Sequence, residues 1–438
     1  MSTLQYGLTP KMKPISVNRS GRVAVLDVGT SKVACLIGRL RPCPPQDVLR
    51  GRSHSIDVIG FGHTLALGMK AGTVIDLTAA ETAVRQAVDL AERSAKLQLQ
   101  SAIVSVSAGR LGSELISASI EVASSAISDR EIARVLSAGS RYSVREARAV
   151  LHSLPIGYVV DNASGIRDPR GMLARKFGID MHVVTTDVSV ARNLMLAVER
   201  CHLNVEAMVA SPYVAGLSVL ADDESDLGAA VVDMGAGTTS IAVFSGECVI
   251  HADGFARGGM LVTMDIARGL NARIADAERI KTLYGSVLVG ASDERDMFAV
   301  PSVDDGDVPQ FVSRASLVRI IKPRIEEILE IVRDKLAASP FAAEPRGRVI
   351  LTGGACQLTG LPDLAAQILG RPVRIGRPLG IAGLPEEAKG PAFAVATGLL
   401  NYPQAAHLEH FEPRRTRHSA TGTGSYIARV GRWLRESF

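Results

Sequence analysis

The sequence predicts an α/β protein built from two related halves, with a small α+β unit set into the first. Three observations carry this. The stretch RVAVLDVGTSKVACLIG at 22–38 returns as GAAVVDMGAGTTSIAVFS at 228–245. Each is an apolar strand ending in aspartate, a turn of small residues and hydroxyls, and a second apolar strand, so the chain repeats one supersecondary unit. Strand patterns alternate with segments of helical period in both halves. Between them, residues 101–186 change character, with short Ser-, Val- and Ile-rich runs.

Composition bounds the rest. The chain has 438 residues, 47% apolar and 21% charged, which is ordinary for a globular protein and long enough for two large domains. A net charge of +4 is too mild to argue for a nucleic-acid partner. The five cysteines at 35, 43, 201, 248 and 356 form no CxxC pair, which fits a reducing compartment better than a disulfide scaffold or zinc site. No uncharged apolar run reaches the length of a membrane span, and residues 1–20 lack a signal-peptide core; they read as a flexible arm.

The first half takes residues 21–100 and 187–211. After the hairpin, 41–55 reads as a loop, 56–66 as a strand and 78–98 as a helix with Ala83, Val84, Ala87 and Leu90 at helical spacing. The insert, 101–186, has one helix near 128–138; a helix at 189–201 and a strand at 205–210 follow. In the second half, 212–257 and 341–389 form the core and 258–340 a subdomain. That subdomain holds helices near 258–269 and 275–284, a loose stretch at 290–310 and a long helix at 313–337. A strand runs into a Gly-rich turn in GRVILTGGACQLTG, 347–360, and an apolar helix at 390–400 packs back on the first half. Residues 401–424 are polar and Pro/Gly-containing, and read as a disordered linker with a reach of about 25–30 Å.

The last fourteen residues, SYIARVGRWLRESF at 425–438, hold the only tryptophan. Drawn as a helix, Ile427, Val430, Leu434 and Phe438 share one face with Trp433 at its edge, an arc of about 140°. Arg429, Arg432 and Arg435 lie opposite. Bulky apolar groups below and arginines toward anionic head groups make an interfacial membrane helix. The bland alternative is a last helix docked on the body; a polar linker before it argues against that.

The repeated turns suggest phosphate chemistry. Glycines let backbone N–H groups approach an anion, Thr30, Ser31, Thr238 and Thr239 add hydroxyls, and Lys32 can supply a point charge. Asp27 and Asp233 at the strand ends could face each other across a cleft, and their repulsion of a phosphate calls for a Mg²⁺ ion between them, held through water. The Walker P-loop pattern is absent, and a strand–hairpin context does not suit a dinucleotide fingerprint, which must open a helix.

Two acidic hairpins followed by Thr352, Gly353 and Gly354 resemble the actin-like ATPase superfamily. Within it the chain is similar to the FtsA family of bacterial cell-division proteins, on LPIGYVVDNASGIRDPRGM (154–172), GGMLVTMDIARGL (258–270), DAERIK (276–281) and SLVRIIKPRIEEIL (316–329). The resemblance implies two RNase H-like lobes with ATP and Mg²⁺ in the cleft, an insert that contacts other subunits and division proteins, and a terminal membrane helix. Residue by residue, it implies that Gly29, Thr30, Ser31 and Lys32 cradle phosphate from one side and Gly235, Ala236, Gly237, Thr238 and Thr239 from the other. Gly259 would lie at the phosphate end of the next turn, Glu278 and Lys281 would flank ribose and adenine, and Gly353 and Gly354 would close over adenosine. Arg324 and Glu327 match positions for the C-terminal tail of FtsZ. Taken alone, Glu278 with Lys281, and Arg324 with Glu327, would be solvated ion pairs.

Ala236 stands where relatives often have glycine, which is tolerable only if its φ is negative or strain is accepted. Ser211, before Pro212, stands where brisk ATPases of the superfamily carry a water-orienting Glu or Gln. A serine is a poor base and reads instead as a helix cap, so slow turnover is expected. The function expected is an ATP-binding adaptor, peripheral on the cytoplasmic face of the cell membrane at the division site. It would polymerise there, tether FtsZ filaments to anionic lipids and recruit later division proteins. The alternative is a sugar or metabolite kinase of the same superfamily; a different actin-like filament protein is a third reading, against which the insert argues.

Overall fold

A computed structural model of the chain describes residues 7–411 except 50, 108–109, 123–125, 142–146, 247, 302–308 and 345. The first lobe opens with β1 (Gly21–Val28), β2 (Lys32–Pro42) and β3 (His54–Leu65), the small hairpin β4 (Met69–Lys70) and β5 (Thr73–Val74), and helix α1 (Leu77–Ala95). Asp76 caps α1 through a side-chain bond to the Ala79 amide. Strand β6 (Ser101–Val106) then pairs parallel with β1. It therefore belongs to the lobe and not to the insert, whose expected start at 101 moves to just beyond it.

The insert is β7 (Gly112–Glu121), α2 (Asp129–Gly139), β8 (Arg148–Val160), β9 (Ala163–Ile166) and β10 (Lys176–Asp187), a sheet ordered β7-β10-β8-β9 with its own small core around Phe177, Ile179 and Val135. Ser128 and Glu131 form a capping box on α2. The chain returns through α3 (Val188–Glu199) and β11 (Asn204–Ala210) into α4 (Ser211–Val219) and the short α5 (Asp222–Asp226).

The second lobe repeats the plan with β12 (Ala229–Met234), β13 (Thr239–Ser245) and β14 (Cys248–Phe255), then α6 (Gly259–Gly269), α7 (Ile274–Tyr284), the hairpin β15 (Met297–Val300) and β16 (Gln310–Ser313), and α8 (Arg314–Ala337). It closes with β17 (Arg348–Thr352), α9 (Leu361–Leu369) and β18 (Val373–Ile375). Strand β19 (Ile381–Ala382), expected in the second-lobe core, instead pairs parallel with β3 at the edge of the first lobe's sheet, and α10 (Ala394–Ala405) also returns to the first lobe. The stretch read as loose from 290 thus carries a strand, held by pairing of Phe298 with Val312.

Five strands of each sheet repeat one connectivity. One sheet runs β11-β6-β1-β2-β3, with β19 added at its edge, the other β18-β17-β12-β13-β14, each with an antiparallel hairpin beside a parallel pair. Strand β12 is buried at all six positions, as a central strand covered on both faces should be. Helix α4 packs between β11 of the first lobe, β12 and β13 of the second, and α10, which itself lies on β1 and β2, and this is why α4 is apolar all round rather than amphipathic.

Both expected flexible ends are shorter than predicted. The arm is pinned where Leu8 bridges Val150 in parallel and the Thr9 amide donates to the Val150 carbonyl at 3.2 Å. The linker does not begin at 401: α10 continues through Ala405 with Asn401, Tyr402 and Gln404 buried, and Glu409 is bonded inside the body. The polar residues there have partners distant in sequence. Ile427, Arg429, Val430, Arg432, Trp433, Leu434, Arg435 and Phe438 lie outside the described residues. Among the described residues, no helix is long and apolar enough to cross a membrane.

Candidate nucleotide cleft

The two hairpins present matching turns. Asp27 pairs with Ala34 and Val28 with Val33; Asp233 pairs with Ser240 and Met234 with Thr239. The Gly29 amide closes the first turn on the Lys32 carbonyl at 3.0 Å, and the Gly235 amide closes the second on Thr238 at 2.9 Å. The turns meet: a Cβ added at Gly237 would lie 2.5 Å from Thr30 Oγ1. That hydroxyl also accepts from the Gly72 amide at 3.2 Å, which ties the β4–β5 hairpin to the first turn. Ser31 joins the same frame through its carbonyl, which accepts from the Ala66 amide at 3.0 Å. Thr239 donates to the Arg257 carbonyl at 2.8 Å. Ala236 is not among the described residues of positive φ, so its side chain brings no left-handed backbone strain.

Asp27 and Asp233 are both buried. Ser105 on β6 donates to Asp27 Oδ1 at 2.7 Å. Burial pushes the Asp27 carboxyl up, against the pull of Lys32 and Ser105. Burial also pushes Asp233 up to about 7; the charge of Asp27 adds to this and Lys32 opposes it. Lys32 itself is pushed down to about 8 by burial, with both carboxylates opposing. Two buried carboxylates, one raised by the charge of the other, beside one cation form a set that gains from a further positive charge. That donor set fits a hydrated Mg²⁺ ion bridging to phosphate oxygens. No cluster of three or more acidic, His or Cys ligands occurs among the described residues, so any metal would depend on phosphate and water for the rest.

Lys32 is not aimed into open space. Its ammonium donates to the Ala392 carbonyl and sits 3.5 Å from the Phe393 ring centroid. The same segment meets the other lobe: the Gly353 amide and Thr352 Oγ1 donate to the Pro391 carbonyl at 3.1 and 3.2 Å. Residues 391–393 therefore bridge the first hairpin and the Thr-Gly-Gly turn. Ser105, Ala392 and Phe393 were not anticipated from sequence; the one available signal was a serine at a buried position of an apolar strand.

Helix α6 starts on the second turn. The Gly259 amide donates to Gly235 O at 2.9 Å and the Met260 amide to Ala236 O at 2.8 Å. Lys281 donates to the Gly259 carbonyl at 3.2 Å, Thr263 Oγ1 at 2.9 Å and Glu278 at 2.7 Å. Glu278 and Lys281 are thus a prop under the first turn of α6 and not a free surface pair. Gly353 has φ 86°, and a Cβ there would lie 2.5 Å from Asp233 Oδ1; its neighbour Gly354 is open, with only Ala392 Cβ at 3.9 Å.

Arg324 and Glu327 lie apart from these residues, on α8. Arg324 grips Asp265 of α6 through Nε at 2.6 Å and Nη2 at 3.3 Å and also bonds Glu327, which takes Arg257 at 3.2 Å. Ser211 does not cap α4. The cap position is Ala210, and Ser211 Oγ is buried without a hydrogen-bond partner.

Two lobes of duplicated topology, closing matched acidic hairpins on one cleft with an insert in the first, define a protein of the actin-like ATPase fold. Solved structures of that fold agree: the PilM-PilN type IV pilus biogenesis complex has a TM-score of 0.59 at 17% identity, covering 87% of this chain and 98% of that one. MreB 5 of Spiroplasma citri bound to AMPPNP has a TM-score of 0.50 at 14% identity, covering 88% and 97%. The model of the SHS2 domain inserted in FtsA matches residues 108–185, and that of cell division protein FtsA matches 230–398. Cell division protein FtsA of Agrobacterium fabrum is 51% identical over 99% of this chain and 98% of its own length, and that of Escherichia coli K12 is 32% identical over 95% and 98%. The chain belongs to the FtsA family of cell division proteins.

Proposed function

We propose that this protein binds ATP with Mg²⁺ in the cleft, polymerises on the cytoplasmic face of the cell membrane, tethers FtsZ filaments there and recruits later division proteins. The observation that carries the reading is the pair of matched hairpins, which bury Asp27 and Asp233 beside turns that meet at Gly237 and Thr30. Asp27 and Asp233 would hold the hydrated ion. The turns at 29–32 and 235–239 and the Gly259 end of α6 would face the phosphates, and Glu278, Lys281, Gly353 and Gly354 the nucleoside side. When bound, the ion neutralises phosphate charge. Ser211 supplies no base, so slow turnover is expected and ATP acts chiefly as a switch. One short terminal helix binds lipid only marginally, and polymerisation supplies avidity.

Vesicle co-sedimentation tests this. Full-length protein, a chain ending at Phe411 and Trp433→Glu are spun with anionic liposomes. The cut follows Phe411 because Tyr402 and Glu409 are part of the body. Only full-length protein should pellet, and ATP-Mg²⁺ should increase the fraction. Equal behaviour of all three would end the membrane role and return weight to a kinase, then tested by ATP consumption with a sugar panel.

Two substitutions separate fold from ligand. Gly354→Ala should leave stability within about 0.5 kcal/mol, since its Cβ enters open space, yet weaken nucleotide binding in a fluorescent-ATP titration. Unchanged affinity would remove Gly354 from the adenosine side. Arg324→Ala should weaken binding of an FtsZ tail peptide by roughly tenfold, judged by fluorescence anisotropy, because it removes a charged hydrogen-bonding group. Glu326→Ala, on the same helix, serves as control. Equal loss in both variants would mean only general charge matters.

A further inference from the structure

Away from the cleft, four parts of the chain converge on one buried carboxylate. Glu409, with its side chain 3% exposed, accepts from His152 Nδ1 at 2.8 Å and from the Tyr402 hydroxyl at 2.9 Å, and its other oxygen lies 4.0 Å from Lys11 Nζ. His152 comes from the insert, Tyr402 from the end of α10, Lys11 from the N-terminal segment. His152 is fully buried, and its Nε2 accepts from the Ala210 amide at 2.9 Å, so the proton must sit on Nδ1 and point at Glu409. Tyr213 closes the group, edge-on to His152 with centroids 4.9 Å apart.

The position of this group matters more than its strength. Both ends of the described chain are laid along β8: Gly7 and Thr9 on Val150, and the His410 amide on the Ser153 carbonyl at 2.9 Å. Lys11 also lies 4.4 Å from the Phe411 ring centroid. Glu409 is therefore the root from which residues 412–438 continue. At the other end of the group, Ala210 is the last residue of β11 and the N-cap of α4. Its neighbour Val209 is in register with Ser105, the residue that donates to Asp27. A continuous series of short contacts thus runs from the cleft carboxylate through Ser105, the β6–β11 ladder, Ala210 and His152 to Glu409.

We propose that Glu409 is a latch that holds the root of the C-terminal tail against the insert and the start of α4, so that closure of the cleft changes how firmly the tail root is held. The inference rests on the proposed nucleotide and membrane roles for what the latch would serve, but not for whether it exists. The two halves are separable: a latch at Glu409, and its coupling to the cleft.

Hydrogen exchange read by mass spectrometry on the full chain tests both. Without nucleotide, Glu409→Gln should raise exchange across 403–411 by roughly tenfold or more, because the His152 and Tyr402 hydrogen bonds lose their charged acceptor and the Lys11 ion pair is lost. Tyr402→Phe keeps the ring and removes one hydrogen bond, so it should give a smaller rise in the same segment; it decides the question if Glu409→Gln fails to fold. Unchanged exchange at 403–411 in the folded variant overturns the latch. With ATP-Mg²⁺, wild type should change exchange at 205–215 and at 403–411 together, and Glu409→Gln should keep the first change and lose the second. A change at 205–215 with none at 403–411 overturns the coupling, as does no change anywhere. The vesicle assay on wild type is independent: its failure removes the membrane role and leaves the exchange result standing.

Discussion

Gly398→Ala is expected to cost roughly 3 kcal/mol or more, at or beyond the upper end of ordinary overpacking. A Cβ at Gly398 would stand 1.8 Å from the Val214 carbonyl oxygen and 2.5 Å from its carbon. Both are backbone atoms inside a helix, so no side chain can swing away. Helices α10 and α4 would have to separate, and each is buried on nearly every side, α10 against the first lobe and α4 against the second. Nearby Gly216 makes the useful contrast. Its added Cβ would meet the tip of the Phe244 ring at 2.0 Å, which is also too close, but the obstacle there is a side chain. Gly216→Ala should be substantially relieved by Phe244→Leu, whereas Gly398→Ala should find no single-residue rescue. Urea denaturation of the four proteins measures this. A wild-type midpoint for Gly398→Ala would mean that the helices slide apart freely and that the crossing does not set the distance between the lobes.

The duplicated hairpins were legible because their signal is local. An apolar strand, an aspartate and a small-residue turn need only neighbours in sequence to declare themselves, and repetition made the pair specific. What sequence misplaced was set by distant partners. Asn401, Tyr402, Pro403 and Gln404 look like the start of a polar linker. In the fold, Asn401 donates to the Leu217 carbonyl at 3.2 Å, and Gln404 Oε1 accepts from the Ser53 and His54 amides at 2.8 and 2.9 Å. Composition counts such residues as soluble, although a buried polar side chain with its partner in place is as fixed as an apolar one. The same reason hides Lys11 in an apparently free arm. The expected cap at Ser211 failed differently: serine is a common cap, but helix α4 begins one residue earlier and inside the body. At the cleft, residue types predicted which groups gather but not that Lys32 would rest on Phe393, because that contact closes only when the end of the chain returns to the first lobe.

Asp233→Asn is expected to act in opposite directions on the empty and the loaded protein. The empty cleft holds two buried carboxylates, and the carboxyl of Asp233 is raised from its ordinary 3.8 to about 7 by burial and by Asp27. An acid with a raised folded-state pKa favours the fold fully below its unfolded value, and that advantage is lost as pH rises through the folded value. Wild type without nucleotide should therefore weaken between about pH 4 and pH 7, whereas Asp233→Asn should show less of this slope. At pH 8 the variant should be more stable by on the order of 2–4 kcal/mol, a difference that shrinks toward pH 4. Because the carboxylates act on each other, Asp27→Asn should lower the pH at which the remaining slope falls. With ATP-Mg²⁺ the order should reverse. Losing one of two carboxylates that would hold the hydrated ion should cost roughly 10–100-fold in affinity, by analogy with removal of groups that orient bound metals. Denaturation from pH 4 to 8 without nucleotide, and ATP titrations with and without Mg²⁺, separate the effects. A variant less stable than wild type at pH 8 would mean that the carboxylate is satisfied in the empty protein. Unchanged Mg²⁺-dependent affinity would mean that the ion is held elsewhere. Gain of stability together with loss of Mg²⁺-dependent binding is the combination expected of a cleft whose strain is relieved by its ligand.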